Sequence, residues 1–298
     1  MFPSVGRPRP AGDAGGVFWS VNERHGGFAP GSGIVSTGRG RIPDVGVGDW
    51  AMLLTAAAAA GWVDAVVGGG GLILLPALFL VAPQLTPQAA LATNKLTAIC
   101  GTGAAVLTFA RRIRLPWRIL GPAALVSAAA AAAGAATVSL LDRDVFIPIV
   151  MVVLVAVAVF VTARPALGTA PTRQPGVRRT VIVVAAAAAV IGFYDGILGP
   201  GTGTFLIITF AAMLGAEFVR SAAMAKVLNF GSNLGALLLF AAGGHVWWSL
   251  GLAMAVCNVA GSVLGSRMAL RRGARFVRVV LLVVVVAMVI RLGFQQFG

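Results

Sequence analysis

The chain has 298 residues, of which 58% are hydrophobic and 11% charged, and its mean hydropathy is +0.93. Soluble domains carry about 25% charged residues, so this chain has too few charges to cover a soluble surface and reads as an integral membrane protein. The 23 Lys and Arg against nine Asp and Glu give +14; in a membrane protein such an excess belongs to cytoplasmic loops rather than to nucleic acid. Two Cys and two His exclude a disulfide scaffold and give no basis for a His/Cys metal site.

Residues 1–48 hold twelve Gly, five Pro and five Arg and no apolar run long enough to span a bilayer. This composition reads as a disordered tail. It lacks the basic segment followed by an apolar core that marks a signal peptide.

Apolar runs then follow at 49–67, 72–81, 88–110, 116–141, 145–162, 180–198, 204–214, 221–242, 246–270 and 276–295. A span needs about 20 residues, so 72–81 and 204–214 are too short to cross as straight helices. Each follows a break, Gly68-Gly69-Gly70-Gly71 or Gly199-Pro200-Gly201-Thr202-Gly203. The expectation is an all-α polytopic membrane protein of about eight helical units with broken or re-entrant helices.

From Asp49 onward 18 basic and 6 acidic residues remain, most of them clustered between the runs. Asp64, Lys95, Asp195 and Lys226 lie well inside apolar stretches. A charge at the bilayer centre costs about 2.5–3.5 kcal/mol on insertion scales, so four of them demand a reason.

A shift of 131 residues aligns the chain with itself: Gly61 with Gly192, Asp64 with Asp195, Gly68 with Gly199, Gly70 with Gly201, Lys95 with Lys226, Trp117 with Trp248 and Gly134 with Gly265. All four interior charges pair under this one shift. The chain divides into repeats at 49–163 and 180–298, joined by a Pro/Arg/Thr-rich linker over 164–179, an arrangement common in secondary transporters. Arg111, Arg112 and Arg114 fall on Ala242, Gly243 and His245, and Asp142-Arg143-Asp144 falls on Gly273-Ala274-Arg275. The basic loop of one half is thus the uncharged loop of the other. The positive-inside rule puts 111–118, 164–179 and 267–278 in the cytoplasm and 142–144 and 243–245 outside. Equivalent loops on opposite faces predict halves of inverted topology, with each broken segment folding as a hairpin or crossing twice.

The run Gly61-Trp62-Val63-Asp64-Ala65-Val66-Val67-Gly68-Gly69-Gly70-Gly71-Leu72-Ile73-Leu74-Leu75-Pro76, followed by Ala90-Leu91-Ala92-Thr93-Asn94-Lys95 and echoed in part by the second half, resembles the sulfite exporter TauE/SafE family. The resemblance covers 49–295. It implies a membrane permease for sulfite, organosulfonates or related small anions. The second half departs from the pattern, with Ile207 in place of Pro76 and Ala225 in place of Asn94.

The residues themselves suggest where an anion would sit. A helix restarting after a break presents free backbone N–H groups and the positive end of its dipole, which makes Gly69, Gly70, Gly71, Gly201, Thr202, Gly203 and Thr204 candidates. The competing reading is close helix packing by small residues, as in the Gly261 and Gly265 spacing. No Lys-Ser/Thr follows the second break, which argues against a phosphate loop. Lys95 and Lys226 are natural partners for an anion; otherwise they pair with Asp64 or Asp195 and staple helices. The two Asp could also couple transport to protons.

Thr93 and Asn94 flank Lys95, while Asn229 and Asn233 share a helical face with Lys226; they offer donors to an anion or interhelical hydrogen bonds. Trp117 and Trp248 suit an interfacial belt, and Tyr194 could line a pore. No cofactor or metal is expected, and no catalytic set places the chain among enzymes. The whole describes a multi-pass protein of the cell (inner) membrane that moves a small anion by alternating access, with lipid as its other partner and a homo-oligomer left open. An anion channel and a non-transporting adaptor are the alternatives.

Overall fold

A computed structural model describes residues 46–82, 85–138 and 176–297, with only the backbone beyond residue 280 apart from Val283. The tail over 1–45, the run 145–162, the loop 142–144 and most of the linker 164–179 lie outside the described residues. Among the described residues there are eight helices and no strand: α1 (Val47–Val67), α2 (Gly71–Val81), α3 (Pro87–Ala110), α4 (Trp117–Thr137), α5 (Val177–Ile197), α6 (Thr202–Leu214), α7 (Phe218–Ala242) and α8 (Trp248–Phe297). Five stretches are long and apolar enough to span a bilayer: α1, α4, α5, α7 and Trp248–Val280 of α8. α3 matches them in length with 24 residues but carries the polar series Thr93, Asn94, Lys95, Thr97 and Thr102.

The helix ends follow from local chemistry. Thr86 caps α3 by accepting from the Ala89 amide, and Pro87 opens the first turn, where it has no intrahelical N–H to lose. The Gly46 amide donates to Asp49, which also stands at the positive end of α1. α1 and α5 begin at Val47 and Val177, so the last residues of the expected tail and linker are helical. Arg178 and Arg179 marked those residues as linker by charge, but an interfacial first turn accepts Arg without breaking the helix. For the same reason the Arg-rich stretch 267–278, expected as a loop, is helical on both sides of Gly273. There alone, at φ +72 and ψ −167, the helix is interrupted.

The long helices do not pack half by half. α1 and α3 of the first half pack on α8 of the second, α5 and α7 pack on α4, and α3 meets α7 in the middle. Small residues permit this closeness. A methyl on Gly134 would overlap the Phe193 carbonyl, and one on Gly265 would overlap the Trp62 carbonyl. These are the same contact 131 residues apart, made each time between opposite halves. Gly261 likewise packs on the Ala58 carbonyl, so the Gly261 and Gly265 pair serves close packing, as small-residue motifs do.

Candidate functional site

The two breaks meet at the centre of this assembly. α1 ends where Gly68 enters the left-handed region (φ 84) and its amide returns to the Val63 and Asp64 carbonyls. Only a residue without Cβ adopts this φ at little cost. Its repeat counterpart Gly199 has the same φ of 84. α2 then packs back against α1, with Gly70 over Ala60 and Asp64. Gly68 and Gly203 touch backbone to backbone, so a side chain on either would overlap the other. Thr204 ties the breaks together by donating to the Val67 carbonyl at 2.7 Å.

The four interior charges converge on this crossing, paired across the halves. Lys95 Nζ of α3 lies 2.7 Å from Asp195 Oδ2 of α5, and Lys226 Nζ of α7 lies 2.8 Å from Asp64 Oδ2 of α1. Both Asp occupy the last turn of the helix before a break, and both Lys the third turn of a helix after one. A buried charge is tolerated when paired and hydrogen-bonded, so each pair explains its own presence in apolar surroundings.

The two pairs differ in detail. Lys226 donates a hydrogen bond to Asp64, whose side chain is 14% exposed. Lys95 and Asp195 are sealed at 1% and 2%, and their contact is close but off the hydrogen-bonding direction. Asp195 is held instead at its other oxygen, Oδ1, by Thr202, whose hydroxyl donates at 2.7 Å and also lies 2.9 Å from the Gly199 carbonyl. Tyr194 beside it donates to the Pro200 carbonyl at 2.7 Å and stacks edge-on to Phe205. The counterparts of Thr202 and Tyr194 in the first half are Gly71 and Val63, which supply neither bond.

The other candidates divide. Asn94 reaches the crossing: its Nδ2 is 3.6 Å from the point where a Cβ on Gly71 would stand. Lys95 is as close to Gly199, with Nζ 3.2 Å from the corresponding point there. Thr93 faces away, its hydroxyl oxygen accepting from the Trp247 amide at 3.4 Å. Asn229 and Asn233 bond to each other along α7 at 3.4 Å and are buried. Nothing in the sequence marks the hydroxyl bond from Tyr194 to Pro200 or that from Thr204 to Val67. Neither leaves a periodic signal, since each depends on which backbone carbonyl a fold brings near.

Long apolar helices around buried, paired charges and interrupted helices define a multi-pass membrane protein with a polar centre. Residues 53–292 match the model of the sulfite exporter TauE/SafE family, and the chain belongs to that family. It is similar to the probable membrane transporter protein ORF9 of Sinorhizobium sp., with 37% identity over 243 residues, 81% of this chain and 91% of the relative. It is also similar to the probable membrane transporter protein YfcA of Escherichia coli (strain K12), with 33% identity over 251 residues, 83% of this chain and 90% of the relative. A probable membrane transporter protein of Haemophilus influenzae is 31% identical over 258 residues, 85% of this chain and 98% of the relative. No solved structure matches the chain. The resemblance carried by the Gly-rich break and the Thr-Asn-Lys segment is therefore borne out, and the protein is a membrane transporter of this family.

Proposed function

We propose that this transporter is a secondary permease of the cell (inner) membrane that moves a small anion, such as sulfite or an organosulfonate, by alternating access. The observation that carries the proposal is the reciprocal pairing of Lys95 with Asp195 and Lys226 with Asp64 where the two breaks meet. An anion arriving there finds two ammonium groups, each beside a carboxylate, and two half-length helices whose N-terminal amides begin at the breaks. It takes over part of the carboxylates' role toward Lys, so binding and loosening of the cross-half contacts are one event.

Exchanging the halves turns one ion pair into the other, and a second exchange restores the start. That is the property of a two-fold axis. An axis along the membrane normal would leave equivalent loops on one face, whereas an axis in the membrane plane sends them to opposite faces. The four Arg at 111–118 against the charge-poor counterpart at 242–249 favour the second arrangement, with repeats at 49–163 and 180–298 rocking about the crossing.

The test is flux in proteoliposomes with sulfite, sulfate, thiosulfate and taurine. Saturable movement of at least one of them is expected. Flux that rises with concentration without saturating identifies a channel, and no movement of any of the four overturns the proposal. In a background without Cys100 and Cys257, Ile113→Cys and His245→Cys are expected to label from opposite faces. Labelling from one face contradicts the inverted arrangement.

A further inference from the structure

The two helix starts at the crossing are covered differently. At α6 the cover is backbone: a methyl on Gly203 would overlap Gly68 Cα, and one on Gly68 would overlap Gly203 and crowd the Thr204 amide nitrogen. Thr202, the first residue of α6, has its hydroxyl engaged by Asp195 and Gly199. At α2 the first residue is Gly71, and the backbone leaves room beside it. The point where its Cβ would stand is 3.6 Å from Asn94 Nδ2, 3.7 Å from Pro200 Cα and 3.9 Å from Pro200 N. A methyl there would displace nothing, but it would stand in contact with Nδ2 and cover it. Glycine leaves that donor uncovered, and because a Cα–Cβ bond tilts toward the helix N-terminus, Nδ2 lies at that end of α2.

Asn94 is 4% exposed, and its side chain makes no hydrogen bond among the described residues. Buried polar side chains are nearly always bonded, because an unpaired one forfeits its hydration with nothing in return. A donor in this position, beside a helix start whose first amides have no intrahelical acceptor, suits a ligand whose oxygens accept. Lys95 borders the same stretch of chain: its Nζ is 3.2 Å from the point where a Cβ on Gly199 would stand, and Gly199 precedes Pro200. A carboxamide, an ammonium and the α2 amides thus surround one place. The second half has no copy of this set, since Ala225 stands for Asn94 and Thr202 for Gly71.

We propose that the transported anion is bound at the first break alone, where an oxygen of its oxyanion head group accepts from Asn94 Nδ2 at the start of α2 and Lys95 supplies the charge. The ligand class is a sulfite-like or sulfonate head group. The start of α6, closed by Gly68, holds no anion, so the repeat provides two helix starts and one binding place.

This inference rests on the anion-transport reading above. Its test compares KM in proteoliposomes, for whichever of sulfite, sulfate, thiosulfate and taurine saturates in the wild-type protein, with the unfolding temperature in detergent. Asn94→Leu should raise KM about tenfold or more, the worth of a hydrogen bond to a charged group. It should leave the unfolding temperature unchanged or higher, because a like-shaped apolar side chain replaces a buried carboxamide that bonds to nothing. A carboxamide that only joins helices predicts the reverse, a lower unfolding temperature with KM unchanged, and that result overturns the inference. Gly71→Ala, which covers Nδ2 without crowding the backbone, should raise KM severalfold at unchanged stability. A folded Gly71→Ala with the wild-type KM also overturns the inference, and this variant decides the matter if Asn94→Leu does not fold. If wild-type uptake saturates and neither variant moves KM, this inference alone fails; if no uptake saturates, the transport reading fails with it.

Discussion

The two cross-half ion pairs share a chemistry but not a setting. Lys95–Asp195 is sealed from solvent, and its carboxylate is held at one oxygen by Thr202, with Tyr194 bracing the same break at Pro200. Lys226–Asp64 has neither brace, and its carboxylate is the more exposed of the two. The repeat therefore supplies the charges twice, while the residues around them brace one pair and leave the other unbraced.

The sharpest way to break this comparison is to remove one carboxylate at a time. Taking one partner from a buried pair costs about 3–5 kcal/mol, and Asp195→Ala should approach the upper end because Lys95 has no water to turn to. Asp64→Ala should cost less, since its carboxylate is less deeply buried than that of Asp195. Thermal unfolding in detergent measures both, and equal losses would erase the distinction between the pairs. Replacing both members, as in Lys95→Met with Asp195→Leu, should recover most of the stability, because no charge is left unpaired. Flux should nevertheless be lost in the double variant, which separates a ligand contact from a staple.

Next in size is the meeting of the breaks. Gly203→Ala forces a methyl into the backbone of Gly68 and should cost about 1–3 kcal/mol, as overpacking does. Gly68→Ala should cost about 1 kcal/mol more, because it also strains a left-handed backbone. Gly71→Ala, whose new methyl would find its nearest atom at 3.6 Å, should leave stability nearly unchanged. The same unfolding measurement ranks the three, and a destabilised Gly71→Ala would show the first break to be as tightly packed as the second.

The braces come third. Thr202→Val removes a hydrogen bond to a carboxylate, a loss of about 1.5–3 kcal/mol. It should also raise the exchange rate in counterflow by freeing Asp195. Tyr194→Phe removes a neutral bond and should have the smallest effect, about 0.5–1.5 kcal/mol. A larger effect from Tyr194→Phe than from Thr202→Val would place the rigidity of this joint at Pro200 rather than at Asp195.

Much of this was legible before any coordinates. The short runs after Gly68-Gly69-Gly70-Gly71 and Gly199-Pro200-Gly201 marked half-length helices, because a span has a minimum length and these fall below it. The four interior charges stood out because their surroundings are apolar. The Arg-rich stretch 267–278 reads as a loop but is helical on both sides of Gly273, since charge signals an interface without ending a helix. Thr93 and Asn94, neighbours in one motif, face different elements because adjacent residues on a helix point about 100° apart. No property of the motif says which of them turns to the centre.

The class of protein, the self-match under one shift, the breaks and the interior charged residues can all be read from the sequence alone. These are local facts, set by hydropathy over a window and by identity under a shift of 131 residues. The sequence could not say that Lys95 joins Asp195 rather than Asp64, its own half's carboxylate. Both pairings satisfy the same repeat and the same need to neutralise a buried charge. The choice belongs to the tertiary structure, where α1 packs on α8 and α5 on α4. Glycine lets those helices approach across the halves, so each Asp arrives beside the other half's Lys.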